Sequence, residues 1–237
     1  MDKTKNSYSP YHPVTVGTLE QVIDNLTYKS ITITSFYISS LVWYYGNALD
    51  EHTVAGGILE KGQIPKKATL AWSLNKDPQN QTIDHASVKP VTSREYTVST
   101  NSQTTFTLRV YDEKDAEDSD TVSVLIYPGV YYGNAKIPAV YNGTFIEQLT
   151  KVLSDRHLNN ISVTANKDEY IFYCFPSSSD TPTYTFPEPI FKVEGFEGGF
   201  EYVKTISYTN NYGWTSNYDI YKSNRPSLGY VDVKILG

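Results

Sequence analysis

The 237-residue chain contains one cysteine and one methionine. A lone Cys174 excludes an intramolecular disulfide and a cysteine-built zinc site. It sits in the apolar run Tyr170–Phe175, where a free cysteine reads as a small buried hydrophobe. Charge is also sparse: charged residues make up 19% and the formal net charge is −6. With no basic stripe, the electrostatic grip that sequence-independent nucleic-acid binding needs is missing, so no nucleic-acid partner is expected. No apolar run approaches the roughly 20 residues that span a bilayer, which argues against a membrane partner. No basic-then-apolar segment opens the sequence, so synthesis in a cytoplasm without a secretory signal is expected. The sequons at Asn25, Asn80, Asn142 and Asn160 then carry little meaning.

Catalytic signatures are lacking as well. The four histidines, His12, His52, His85 and His157, form no His-x-x-x-His or His-x-His pair. There is no Gly-x-Ser-x-Gly elbow and no phosphate-cradling glycine loop. Gly195, Gly198 and Gly199 lie between strand-like runs and read as a turn. A carboxylate pair for glycoside cleavage is a spatial feature, and nothing in the sequence indicates one. No catalytic residue, metal or cofactor is therefore assigned, and the chain is read as a non-enzyme.

What the chain does have is tyrosine, 21 in all, together with Thr, Ser and Asn. That is the usage of pleated, half-exposed sheet surfaces and their turns. Residues 104–133 show it best. Phe106, Leu108 and Val110 alternate with polar neighbours, as do Val122, Val124 and Ile126, which predicts an antiparallel hairpin. The acidic run between them (Asp112, Glu113, Asp115, Glu117, Asp118, Asp120) lacks the spacing and the glycine of a calcium loop. It is read as a solvated tip that discourages edge pairing.

Ahead of the hairpin, residues 1–13 form a polar arm. Thr18 and Gln21 have the spacing of a capping box, and Leu19, Val22, Ile23 and Leu26 follow at helical spacing, predicting a helix over 18–27. Residues 30–45 are a β-branched and aromatic run whose parity shifts near Ser35–Phe36, suggesting a bulge or break. Residues 60–65 read as an edge segment, and Leu70, Trp72 and Leu74 alternate, with Trp72 as core anchor. Strands of this length, with turns every 8–12 residues or so, indicate a β-sandwich.

After Pro128 the pattern changes. Thr144 and Glu147 suggest a second capping box, and Phe145, Ile146, Leu149, Val152 and Leu153 predict a helix over 144–157. Lys151, Arg156 and His157 would lie at its C-terminal end. Five or six strands follow, giving a small α+β unit with one helix and a mostly antiparallel sheet. The expected division is 1–29, arm and short helix; 30–127, sandwich; 128–237, α+β domain. Tyr44–Ala48 recurs as Tyr131–Ala135, which suggests a shared loop device.

Two groups of residues stand out as candidate sites. Tyr202, Tyr208, Tyr212, Trp214, Tyr218 and Tyr221, with Tyr230 beyond them, form an aromatic, Asn-rich stretch suited to a polar interface or sugar stacking, against the alternative of core packing. Tyr127, Pro128, Gly129, Tyr131, Tyr132 and Gly133 form a short, stiff junction between the modules.

Ala68–Lys76, Arg94–Val98 and Thr104–Asp112, followed by Leu125–Gly133, a single helix and aromatic strands, resemble a group of tailed-bacteriophage virion proteins. In these an immunoglobulin-like domain runs into a Tyr-Tyr-Gly element and then a small α+β domain. The resemblance implies a structural component of tail, fibre, baseplate or neck, located in the virion and acting through contacts with other virion proteins, as a homo-oligomer or within a symmetric assembly. Recognition of a host-surface glycan is the alternative. No functional residues transfer with the resemblance. The acidic turn departs from the pattern by lacking the glycine common in such hairpins.

Overall fold

The computed structural model describes residues 16–98, 104–177 and 186–237. The polar arm 1–13 and most of the proline-rich loop 177–189 lie outside these. The described chain is mainly β, in several sheets, with two short helices.

In the first half, helix α1 (Val16–Thr27) leads to strands β1 (Ile33–Tyr44), β2 (His52–Ala55), β3 (Ile58–Glu60), β4 (Ile64–Leu74), β5 (Asn80–Ile83), β6 (Ala86–Ser87), β7 (Ser93–Thr97), β8 (Thr104–Tyr111) and β9 (Glu117–Tyr127). One sheet has the order β2-β1-β4-β7. The other runs β3-β9-β8-β5-β6, with β3 parallel to β9. Both contribute to one core: Phe36, Leu41, Leu70 and Trp72 from the first, Ile83, Leu108, Val110 and Val124 from the second. Alternation produces this directly, because every second side chain faces the opposite sheet. Trp72 is the anchor expected. Its indole N–H donates to Gln81 Oε1 at 3.2 Å, and the Gln81 amide donates to the Val88 and Val91 carbonyls. A buried indole and a buried amide thus satisfy each other.

The parity shift near Ser35 is a bulge within one continuous strand, with further register shifts at Ile38/Ser40 and Val42/Trp43. Pro65 lies inside β4, where β7 does not yet pair; that ladder starts at Lys67. Its missing N–H therefore costs no ladder bond on that side. Helix α1 begins two residues before Thr18. Its Val22, Ile23 and Leu26 face solvent, Leu26 at 80% exposure.

The second half comprises β10 (Gly129–Ala135), α2 (Gly143–Glu147), β11 (Thr150–Leu153), β12 (Asn160–Ala165), β13 (Tyr170–Pro176), β14 (Ile190–Val193), β15 (Phe196–Glu197), β16 (Phe200–Thr209), β17 (Thr215–Ser223) and β18 (Gly229–Leu236). Two antiparallel sheets, β11-β10-β13-β17-β16 and β12-β18-β14-β15, enclose a core around Tyr173, Phe175, Phe191 and Val233. A second core lies on the opposite face of the larger sheet, under α2, and contains Phe145, Ile146, Phe172, Cys174 and Ile220. Strand β13 is covered on both faces, so its sequence is an unbroken apolar run. Cys174 is fully buried there, and burial pushes its thiol pKa up.

The helix expected over 144–157 is the main correction. It spans only Gly143–Glu147, and its cap is Asn142, whose Oδ1 accepts the Phe145 N–H at 3.1 Å, instead of Thr144. Thr150–Leu153 is a strand paired with Gly129–Tyr132. The β-branched Thr150 and Val152 suit that ladder, and the open edge of β10 supplies it. Lys151, Arg156 and His157 consequently do not cap a helix.

His157 is buried against Phe175 and Phe186, with Nε2 2.7 Å from the Pro187 carbonyl oxygen and Nδ1 3.3 Å from the Tyr173 hydroxyl. Burial lowers its pKa below the ordinary 6.5, only partly offset by the Pro187 carbonyl. The neutral ring is the folded form, so its contribution is complete above pH 6.5 and declines as the pH falls below that value. Urea unfolding at stepped pH should show stability dropping below this point, with His157→Gln flattening the decline. An unchanged slope in the variant would rule His157 out as its source.

Candidate functional site

Several buried contacts converge on the passage between the halves. Strand β9 ends at Tyr127, and the chain enters β10 through Pro128 and Gly129, both buried. Gly129 is required because a Cβ there would lie 2.9 Å from the Tyr131 ring. Tyr131 is buried, and its hydroxyl is 3.0 Å from that of Tyr208. Tyr218 packs on both rings and donates to the Gly129 carbonyl at 2.8 Å. Burial, first of all, raises the phenol pKa of all three, so they remain neutral donors at any ordinary pH.

Two turns meet beside this cluster. Glu60, at the end of β3, is only 4% exposed. Its Oε2 accepts from Lys151 Nζ on β11 at 2.5 Å, and its Oε1 from Asn210 Nδ2 at 3.2 Å. Asn210 also donates to the Lys61 carbonyl at 2.7 Å, and its Oδ1 accepts the Tyr212 and Trp214 N–H groups, each at 3.0 Å. All the polar atoms of this side chain are thus engaged. Gly62, at φ +95°, lies under Tyr212, where a Cβ would come within 2.7 Å of the Tyr212 oxygen. The Tyr212 ring then meets Trp43 and Tyr45 edge-on, at 5.3 Å each, while Trp43 stacks on His52 at 4.6 Å.

The two groups of candidates therefore largely merge. Tyr208 and Tyr218 join Tyr131 and Gly129 in one buried cluster, and Tyr212 closes on the first half. Trp214 is half-buried against the α2 core, and Tyr221 against the core between the two sheets. Tyr127 and Tyr132 pack on that same core, and Gly133 continues β10. Of the aromatic stretch, Tyr202 and Tyr230 are the rings more than half exposed. Sequence reasoning missed Glu60 and the role of Lys151. No spacing connects residues 60, 151 and 210, and the helix expected over 144–157 put Lys151 in the wrong element.

The acidic turn holds a second anchor. The Asp112 side chain is fully buried, contrary to a solvated tip. It accepts from the Tyr28 hydroxyl at 2.6 Å, from the N–H groups of Ile31, Lys114 and Ala116, and from Lys76 Nζ at 3.0 Å. The Lys76 and Lys114 ammonium groups lie 4.6 and 4.3 Å from the centre of the Tyr28 ring. Burial alone would raise the Asp112 pKa, but these donors outweigh it and hold the carboxyl well below the usual carboxylate range. Asp118 accepts the Ile33 N–H at 2.7 Å. Two carboxylates of the run thus tie down the segment between α1 and β1. Among the described residues, no group of three His, Cys, Asp or Glu is placed to hold a metal ion.

No protein-family model, curated protein or solved structure matches the chain.

Gly62→Ala should destabilise the protein by about 2 kcal/mol or more, through both the contact and the positive φ. It should also speed amide exchange in the Glu60–Gln63 and Asn210–Gly213 turns together; exchange confined to one turn would mean that they are not coupled. Asp112→Asn should release α1, seen as faster exchange over Val16–Thr27. In the parent protein the same release should need acid, because a depressed carboxyl contributes fully above the unfolded value near pH ~4 and is lost only as the pH falls below it.

Proposed function

We propose that the chain is a non-enzymatic structural protein of a tailed-phage virion. In this reading residues 30–127 are an immunoglobulin-like sandwich and 128–237 a small α+β domain, with 1–29 as a docking arm and helix. The protein acts in tail, fibre, baseplate or neck assembly through contacts with other virion proteins, within an oligomeric or symmetric arrangement. The observation that carries the reading is α1. Its Val22, Ile23 and Leu26 are held in solvent by a polar clamp at Tyr28 and by the Lys114–Asp24 ion pair. An apolar helical stripe fixed outward from a braced β body is what a subunit offers to a neighbour. The Ile23→Asp, Leu26→Asp double variant and a deletion of residues 1–13 should each abolish incorporation into particles. Absence of the parent chain from purified virions would overturn the reading outright.

A second reading, host-glycan recognition, is favoured by one exposed ring. Tyr230 is 65% exposed on β18, and its hydroxyl donates to Asp232 Oδ1 at 3.0 Å, which also accepts from Ser162 Oγ at 2.6 Å. A flat ring beside a polar network suits stacking on a sugar. Glycan-array binding lost on Tyr230→Ala would support it, and no binding by the parent protein would remove it.

A further inference from the structure

The Glu60 site holds more than an ion pair requires. Its two carboxylate oxygens carry different groups: the Lys151 amine on Oε2 and the Asn210 carboxamide on Oε1. An amine and an amide are thereby hydrogen-bonded to one acid, which is placed to exchange protons with both. The amide is also polarised. Its Oδ1 receives two converging backbone N–H groups, from Tyr212 and Trp214, at 3.0 Å each. In the reaction proposed below, these two fixed donors would receive the charge that develops on Oδ1. Glu60 and Asn210 are both more than nine-tenths buried. Lys151 is 39% exposed, and the reaction requires its flexible stem to carry Nζ from Oε2 to the Asn210 Cγ.

We propose that Lys151 and Asn210 join in an intramolecular isopeptide bond, with Glu60 transferring the protons. Glu60 takes a proton from the Lys151 ammonium, and the neutral amine attacks Cγ of Asn210. Negative charge develops on Oδ1, where the Tyr212 and Trp214 N–H groups receive it. Glu60 returns its proton to Nδ2, the Cγ–Nδ2 bond breaks and ammonia leaves. The second proton of the attacking nitrogen passes through Glu60 to the departing ammonia. The products are one secondary amide and one ammonium ion, and Glu60 ends ionised as it began. No oxidant, metal or cofactor enters the balance.

The acid comes from the first half of the chain, and both reacting groups come from the second. The reaction therefore requires that the Glu60–Gln63 turn be seated first. Once formed, the bond fixes the Asn210–Gly213 turn to β11 at the place where it receives Gly62.

Intact-mass spectrometry of the denatured full-length chain tests this. The expected mass is that of the sequence less one ammonia, with a branched peptide joining Lys151 to Asn210 after proteolysis. Lys151→Arg keeps a cation for Glu60 but removes the nucleophilic amine, and it should return the full sequence mass. Folded parent protein that keeps the full mass after prolonged incubation at neutral pH would overturn the proposal. So would an ammonia loss that persists in Lys151→Arg, which would point to a succinimide at Asn142-Gly143 instead.

Discussion

Burying a carboxylate is costly unless its lone pairs are filled, and Glu60 can be filled only when both halves of the chain are in place. The acid sits at the end of β3, its cation comes from β11, and its amide partner comes from the turn between β16 and β17. Either half alone would leave these groups short of their partners and open to water. The junction is thus specified by polar satisfaction as much as by apolar contact. The aromatic groups around it, Tyr131 with Tyr208 and Tyr218 on one side and Tyr212 with Trp43 and Tyr45 on the other, exclude the water that would otherwise compete.

A similar device fixes the other end of the first half. Asp112 takes the first described helix into account by accepting from Tyr28 and Ile31 while closing its own hairpin turn through Lys114 and Ala116. One residue therefore serves a local and a long-range contact together. The consequence for function is geometric. The β body is braced at both ends, and α1 is held so that its apolar residues face outward.

Much of the fold is legible from periodicity. The β8–β9 hairpin, the Trp72 anchor and the bulge near Ser35 follow from alternation and its interruption, because a strand's side chains change face at every residue. The helix at 143–147 is shorter than its pattern because Thr150–Leu153 can serve either period, and the edge of β10 decides in favour of strand. The repeated Tyr-Tyr-Gly-Asn-Ala segment makes the same point. The copy at 44–48 runs off the end of β1 into a turn with Gly46 at φ +64°, whereas the copy at 131–135 lies within β10. Identical residues take different conformations because the second copy pairs with β13 along its whole length, whereas the ladder of the first ends at Tyr44.

The sequence by itself determined the β-rich class, the run of strands, the break at Pro128 and the burial of Cys174, since these depend on local pattern and composition. Tertiary structure alone decided which polar residues matter. Glu60, Lys151 and Asn210 are ordinary surface types, separated along the chain, and Asp112 is one acid among several. Their roles come from being carried into shared, desolvated places by strands that pair for other reasons. In those places hydrogen-bond partners must be found within the protein, and the sequence contains no local record of that requirement.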